Sequence, residues 1–156
     1  LQVSIIDEEG NVLFDSYFKP IRHTDWWEAE SVNGISPEMV ADAPYINEKA
    51  AELYAILSQA HWIIGYNVDF DLNFLVGSDI ITAEECNAFR TEDVMIQFAE
   101  IYGEYSVYHE DYKWQKLTTA AAYYDYDWNV KGIEAHNSLA DCFATLFVYH
   151  KILSGE

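Results

Sequence analysis

The sequence predicts an α/β fold, a mixed β-sheet flanked by helices within one domain. Three observations predict it. Two strand-like runs, 2–6 and 11–18, bracket a glycine-bearing turn. An amphipathic helix over 46–59 leads into an apolar strand over 61–66 and then into another helix, a β-α-β-like order that implies parallel strands. The closing helix, from Ser138, is apolar almost all round, as in a helix packed on more than one side.

Taken in order, Asp7-Glu8-Glu9-Gly10 is a hairpin turn with the glycine where positive φ is expected. Asp7-x-Glu9 has the spacing of a metal-binding pair, but both residues fall in that turn and are expected to be solvated. Lys19-Pro20 ends the second strand, and Trp26-Trp27-Glu28-Ala29 is expected to be an aromatic loop. Ser36-Pro37 then opens a short helix, with Ser36 as its cap. The helix over 46–59 carries Ala50, Leu53, Ile56 and Leu57 on its apolar face.

The strand over 61–66 is expected to be buried. Its carboxyl end runs into Asn67-Val68-Asp69-Phe70-Asp71, where ligands of open α/β sheets tend to bind. Asp69 and Asp71 lie about 200° apart around a helix, so at most one faces a shared site. Each is equally explained as an N-terminal acid favoured by the helix dipole. Helices are expected over 92–103 and 114–124, with a tyrosine-rich loop between them. Tyr105, Tyr108 and Tyr112 in that loop serve either packing or stacking on bases.

At 156 residues, 51% hydrophobic and 16% aromatic, the chain can bury a core and is not a disordered segment. No apolar run approaches the roughly 20 residues of a membrane span, so no membrane partner is expected. Cys86 and Cys142 form no CxxC pair, which argues for a reducing, cytoplasmic setting and against a disulfide frame or zinc site. Twenty-seven acids against eight bases give a net charge of −19, which disfavours a protein that grips duplex phosphates. A short single strand reaching a local metal site remains compatible with that charge. The chain opens on Leu1 directly in a strand pattern, so residues 1–156 are expected to be a single domain that is N-terminally incomplete.

Between Ser138 and His150 the one formally charged side chain is Asp141. Leu139, Cys142, Phe143, Leu146, His150 and Leu153 share one stripe, and Asp141 falls on the other side with Ala144, Thr145 and Val148. An ionised carboxylate withdrawn from water needs a cation or donors, and a metal would meet that need. His136, five residues earlier, would point roughly 140° away on one continuous helix. The two converge only if His136 lies on the preceding loop, with Asn137 or Ser138 at the cap. Ser138-x-x-Asp141 also fits a capping-box variant.

Asn67-x-x-Phe70-Asp71 after a strand, with His136-x4-Asp141 on the last helix, resembles the DEDDh (DnaQ-like) 3′→5′ exonuclease superfamily, including the epsilon proofreading subunit of bacterial DNA polymerase III. Lys19-Pro20, Trp27-x-Ala29, Gly34-Ile35-Ser36 and Lys113-Trp114-x-Lys116-Leu117 fall in that family's order along the whole chain. The resemblance implies an RNase H-like fold and 3′→5′ hydrolysis of single-stranded DNA or short RNA. It further implies two divalent ions, Mg²⁺ or Mn²⁺, about 3.5–4 Å apart. Asp141 and Asp71 would be metal ligands and His136 the general base. Asn67, Asn33 and Trp27 would contact substrate, although Trp27 suits a core role equally. The family's first strand, with its Asp-x-Glu pair, has no counterpart in this chain, and Asn33 and Tyr66 stand where the family commonly has His. Expected partners are a single-stranded nucleic-acid 3′ end and a DNA polymerase subunit. The alternative reading is a non-catalytic acidic module that docks on a polymerase or another basic partner.

Overall fold

The computed structural model describes residues 1–21, 26–131 and 137–156. Strand β1 (Gln2–Ile6) pairs antiparallel with β2 (Val12–Tyr17), with Gln2 opposite Tyr17 and Ile5 opposite Phe14. The register shifts before Ile6, which faces Val12, so Leu13 is an extra residue beside the turn. Asp7 holds the turn by accepting from the backbone N–H groups of Glu9 (3.0 Å) and Asn11 (2.8 Å) and from Asn11 Nδ2 (2.8 Å). Gly10 has φ of 82°, so Asp7-x-Glu9 is turn chemistry, as the sequence suggested.

Residues expected to form an aromatic loop instead form helix α1 (Trp27–Asn33), closed by Gly34 at φ of 68°. Glu28 and Glu30 in its first turn complement the helix dipole, and that local preference outweighs the aromatic pair. Trp26 Nε1 donates to Ile35 O (2.7 Å) and folds the following turn back on the helix. Ser36 Oγ accepts from Met39 N–H (3.4 Å) at a 3-10 turn, Glu38–Val40. The helix expected over 46–59 starts as a 3-10 turn, Ile46–Lys49, and continues as α2 (Ala50–Gln59), burying Leu53 and Leu57.

Strand β3 (Ile63–Gly65) runs parallel to β4 (Thr91–Asp93), with Gly65 opposite Asp93. Helices α3 (Val68–Gly77) and α4 (Ala83–Ala88) lie between them in sequence. The parallel pairing matches expectation, but the burial of β3 does not. Among the described residues it has one partner strand, and Ile64 is 39% exposed. The helix expected from Glu92 begins later, as α5 (Val94–Tyr102). Residues 91–93 are drawn out as a strand because β3 offers them a parallel ladder, and Asp93 then caps the helix. The tyrosine-rich loop is a small hairpin, β5 (Tyr105–Ser106) against β6 (Asp111–Tyr112). Helix α6 (Leu117–Tyr123) starts three residues after the expected position, a 3-10 turn spans Trp128–Lys131, and α7 (Ser138–Ser154) closes the chain.

Mixed strand pairing flanked by helices is therefore present, divided into an antiparallel pair, a parallel pair and a hairpin. The core has two parts. Phe14, Phe18, Leu53, Leu57, Leu72 and Leu75 form one between β2, α2 and α3. Val94, Phe98, Ala120 and Val148 form the other between α5, α6 and α7. Helix α7 packs on β1 as well as on α5 and α6, which explains why apolar residues surround it. No helix among the described residues is long and apolar enough to cross a membrane.

Candidate active site

The site is built where β3 gives way to α3. Asn67 enters the helix in the left-handed region, φ 68° and ψ 51°, a conformation asparagine tolerates better than most residues. Asp93 holds it there. Its Oδ1 accepts from Asn67 N–H (3.1 Å) and its Oδ2 from Val68 N–H (3.1 Å). Oδ1 also accepts from Met95 N–H (2.9 Å) and Ile96 N–H (3.4 Å) at the start of α5. One carboxylate thus caps α5 and fixes the entry of α3, which sets the phase of that helix and the direction of Asp71.

Asp71 is exposed on one side, yet its carboxyl is pushed up to about 6. The larger cause is the protein packed around it, and the second is the charge of Asp93. None of the ion pairs among the described residues involves Asp71. Asp69, two residues earlier, is exposed on a different face.

Asp141 reaches the same neighbourhood from the other end of the chain. Asn137 caps α7, its Oδ1 accepting from Leu139 N–H (3.0 Å), which decides between the two cap positions the sequence left open, Asn137 and Ser138. Gln2 ties this helix start to the first sheet. Its Oε1 accepts from Ser138 N–H (3.1 Å), and its Nε2 donates to Asn137 Oδ1 (3.3 Å) and to Asp15 Oδ1 (3.0 Å). Asp141, in the first turn, is half-buried. Next to it, the Cys142 thiol donates to Ser4 O (3.4 Å). That thiol is pushed up to about 12, by burial first and then by the charges of Asp71, Asp141 and Asp15. Carboxylates 70 positions apart in the chain therefore act on one sulfur atom. Asp15 is already engaged by Gln2 and by Ser4 Oγ (2.8 Å).

A family model described as Exonuclease, of the RNase T type, matches residues 2–149. The chain belongs to the exonuclease family. It falls in the DEDDh, DnaQ-like superfamily that the motifs resemble. The uncharacterized exonuclease CP81 of Escherichia phage 186 is 29% identical over 161 residues, covering 99% of this chain and 80% of that protein. The 3′-5′ exonuclease DinG of Staphylococcus epidermidis is 31% identical over 99 residues. That match covers 61% of this chain and 10% of DinG, so the chain spans about a tenth of that relative's length. Exonuclease X, solved in complex with 5′ overhanging duplex DNA, superimposes with a TM-score of 0.63 at 16% identity, over 98% of this chain and 81% of that one. At that identity the likeness shows the RNase H-like fold.

Within this exonuclease-family chain the remaining predicted residues divide. His136, with residues 132–135, lies outside the described residues. Asn33 ends α1, and its Oδ1 accepts from Ile35 N–H (3.0 Å), a local turn bond. Trp27 is 71% exposed, so the core role weighed for it does not hold. Asn67 is part of the site through its backbone. Asp93 and Gln2 were missed by sequence reasoning. Asp93 sits in a polar triplet that resembles a helix start, and Gln2 acts only once α7 has docked on β1. The carboxylates have the hard oxygen character that divalent ions prefer. Among the described residues, however, no three His, Cys, Asp or Glu side chains gather tightly enough to hold an ion alone.

Proposed function

We propose that this chain is the core of a metal-dependent exonuclease that removes nucleotides from the 3′ end of single-stranded nucleic acid. The reading is carried by one observation: Asp71 and Asp141, from the first turns of two helices far apart in sequence, both lie close enough to the Cys142 thiol for their charges to raise it. Carboxylates on neighbouring elements supply the hard oxygen ligands that divalent ions take. Asp71 and Asp141 would hold divalent ions, Mg²⁺ or Mn²⁺, which when bound neutralise the phosphoryl oxygens and the leaving oxygen.

The roles of the chain's own residues follow. Asp93 fixes the start of α3, the helix that carries Asp71, and Gln2 with Asn137 anchors the helix that carries Asp141. His136 precedes Asn137 in sequence and, on the strength of the family resemblance, would accept the proton of the attacking water. The family's Asp-x-Glu pair is not found on a strand among the described residues, so residues 1–156 alone should be slow or inert.

The test uses the full-length protein and a single-stranded DNA labelled at either end, with Mg²⁺ or Mn²⁺. Early release of the 3′ label as mononucleotide, a shortening ladder from the 5′ label and near-abolition by Asp141→Ala are expected. His136→Ala should reduce turnover more than metal affinity. Undiminished hydrolysis by Asp141→Ala would end this reading. Comparison of ribo- and deoxyribo-oligomers assigns the sugar preference. A full-length protein that binds a polymerase but cleaves neither would favour the non-catalytic module, a reading supported by the −19 charge.

A further inference from the structure

The β5–β6 hairpin is an aromatic surface that the site described above does not use. Its tip, 107–110, is an ordered turn. Ser106 Oγ accepts from His109 N–H (3.3 Å), and Glu110 takes the left-handed conformation at φ of 54°. That turn holds Val107 85% and Tyr108 90% exposed, with Tyr105 at 53% and Trp114 at 64%. Tyr105 meets Tyr112 edge-on (centroids 5.5 Å, 83°), and Tyr108 meets His109 likewise (4.8 Å, 89°). These contacts stiffen the rings and leave the Tyr108 ring open to solvent. A hairpin that presents several rings to water exposes more apolar surface than its own packing requires.

Its position indicates the occupant. Gln115, just after the hairpin, accepts through its carbonyl from the Tyr66 hydroxyl (2.9 Å). Tyr66 ends the run from β3 and immediately precedes Asn67, the entry of the helix bearing Asp71. The hairpin is thus fastened to the chain segment that delivers the site. Its exposed large apolar side chains are aromatic except for Val107, which suits flat π-systems better than an aliphatic protein ridge, and the exposed acids Glu104, Glu110 and Asp111 beside them leave stacking rather than phosphate contact as the means of holding a strand. Phosphate grip is scarce, because the chain carries a net charge of −19 and Lys113 is engaged by Glu104 (2.6 Å).

We propose that the β5–β6 hairpin with the segment that follows it, through Tyr108 and Trp114, is a stacking platform for the bases of single-stranded nucleic acid lying beyond the nucleotide held at Asp71 and Asp141. The inference rests on the exonuclease reading and names where the rest of the strand lies. Stacking is sequence-tolerant and needs no excess of cations, so an acidic protein can still hold a strand.

The test measures polarisation of a fluorescein-labelled ten-nucleotide oligo(dT) on the full-length protein in EDTA, where cleavage cannot interfere. A parallel assay follows turnover of the p-nitrophenyl ester of thymidine 5′-monophosphate with Mn²⁺. Tyr108→Ala with Trp114→Ala should weaken oligonucleotide binding by about tenfold or more, the loss of one to two stacked bases. Tyr108→Phe should retain affinity, and ester turnover should be unchanged in all variants. The logarithmic salt slope should be no steeper than about −1.4, equivalent to two phosphate contacts. An unchanged oligonucleotide Kd in the double variant overturns the platform, as does an unchanged Kd accompanied by loss of self-association in sedimentation. Absence of ester turnover in the wild type counts against the exonuclease reading alone, since the polarisation measurement still reports on the hairpin.

Discussion

Replacing Asp71 with Asn removes a charge that the fold holds at a disadvantage. Its carboxyl sits at about 6 against an ordinary 3.8, because of the surrounding protein first and Asp93 second. That difference corresponds to roughly 3 kcal/mol between the two protonation states. Asp71 is open to water on one side, so screening reduces the usable part to about 1 kcal/mol. For a chain of this length, about 1 kcal/mol moves Tm by about 2–4 °C. The sign follows from linkage. A carboxyl with a raised pKa contributes stability that is present below 3.8 and lost as pH rises through about 6. Asp71→Asn should therefore melt about 2–4 °C above wild type at pH 7.5 in EDTA. The advantage should shrink as pH falls from about 6 towards 3.8. Circular dichroism melts across that range make the measurement. A variant less stable than wild type at pH 7.5, or a gain independent of pH, would refute the reasoning. In the full-length protein with Mn²⁺, wild type should gain stability by ligand binding and the variant less, which narrows or reverses the order.

Asp93→Ala strips the acceptor from four backbone N–H groups at two helix starts, and should cost roughly 2–3 kcal/mol, read as a lower urea midpoint with unchanged slope. Gly65→Ala would place a Cβ 3.0 Å from Val68 Cβ and 3.1 Å from its Cα at the β3–α3 junction. It should cost about 1–3 kcal/mol in the same measurement and reduce nuclease activity in the full-length protein, because it displaces the start of α3. Phe98→Ala empties the centre of the second core, where Tyr102, Tyr123 and Tyr124 meet the ring. A loss of about 3–5 kcal/mol is expected in thermal or urea unfolding.

The legible features were those encoded locally. The Asp7–Gly10 turn, the cap at Asn137, the helix that begins beyond Asn67 and the apolar closing helix each depend on residues a few positions apart. Their physics, a positive φ, a side-chain acceptor or a 3.6-residue period, is visible in one dimension. Other features depend on contacts between distant segments. Thr91–Asp93 has no strand pattern of its own and becomes β4 because β3 lies alongside it. Tyr108 was read as loop packing or base stacking, and only the hairpin turn decides that it projects into solvent.

The candidate site divides in the same way. The sequence alone identified Asp71 and Asp141 as acids at the starts of two helices and placed the chain near a known superfamily. Only the tertiary structure brought them to one thiol, made Asp93 the carboxylate that aims one of them, and made Gln2 the clamp on the other. The reason is range. Caps, turns and helical periods act over a few residues, whereas desolvation and charge coupling depend on distance in space, which folding alone sets.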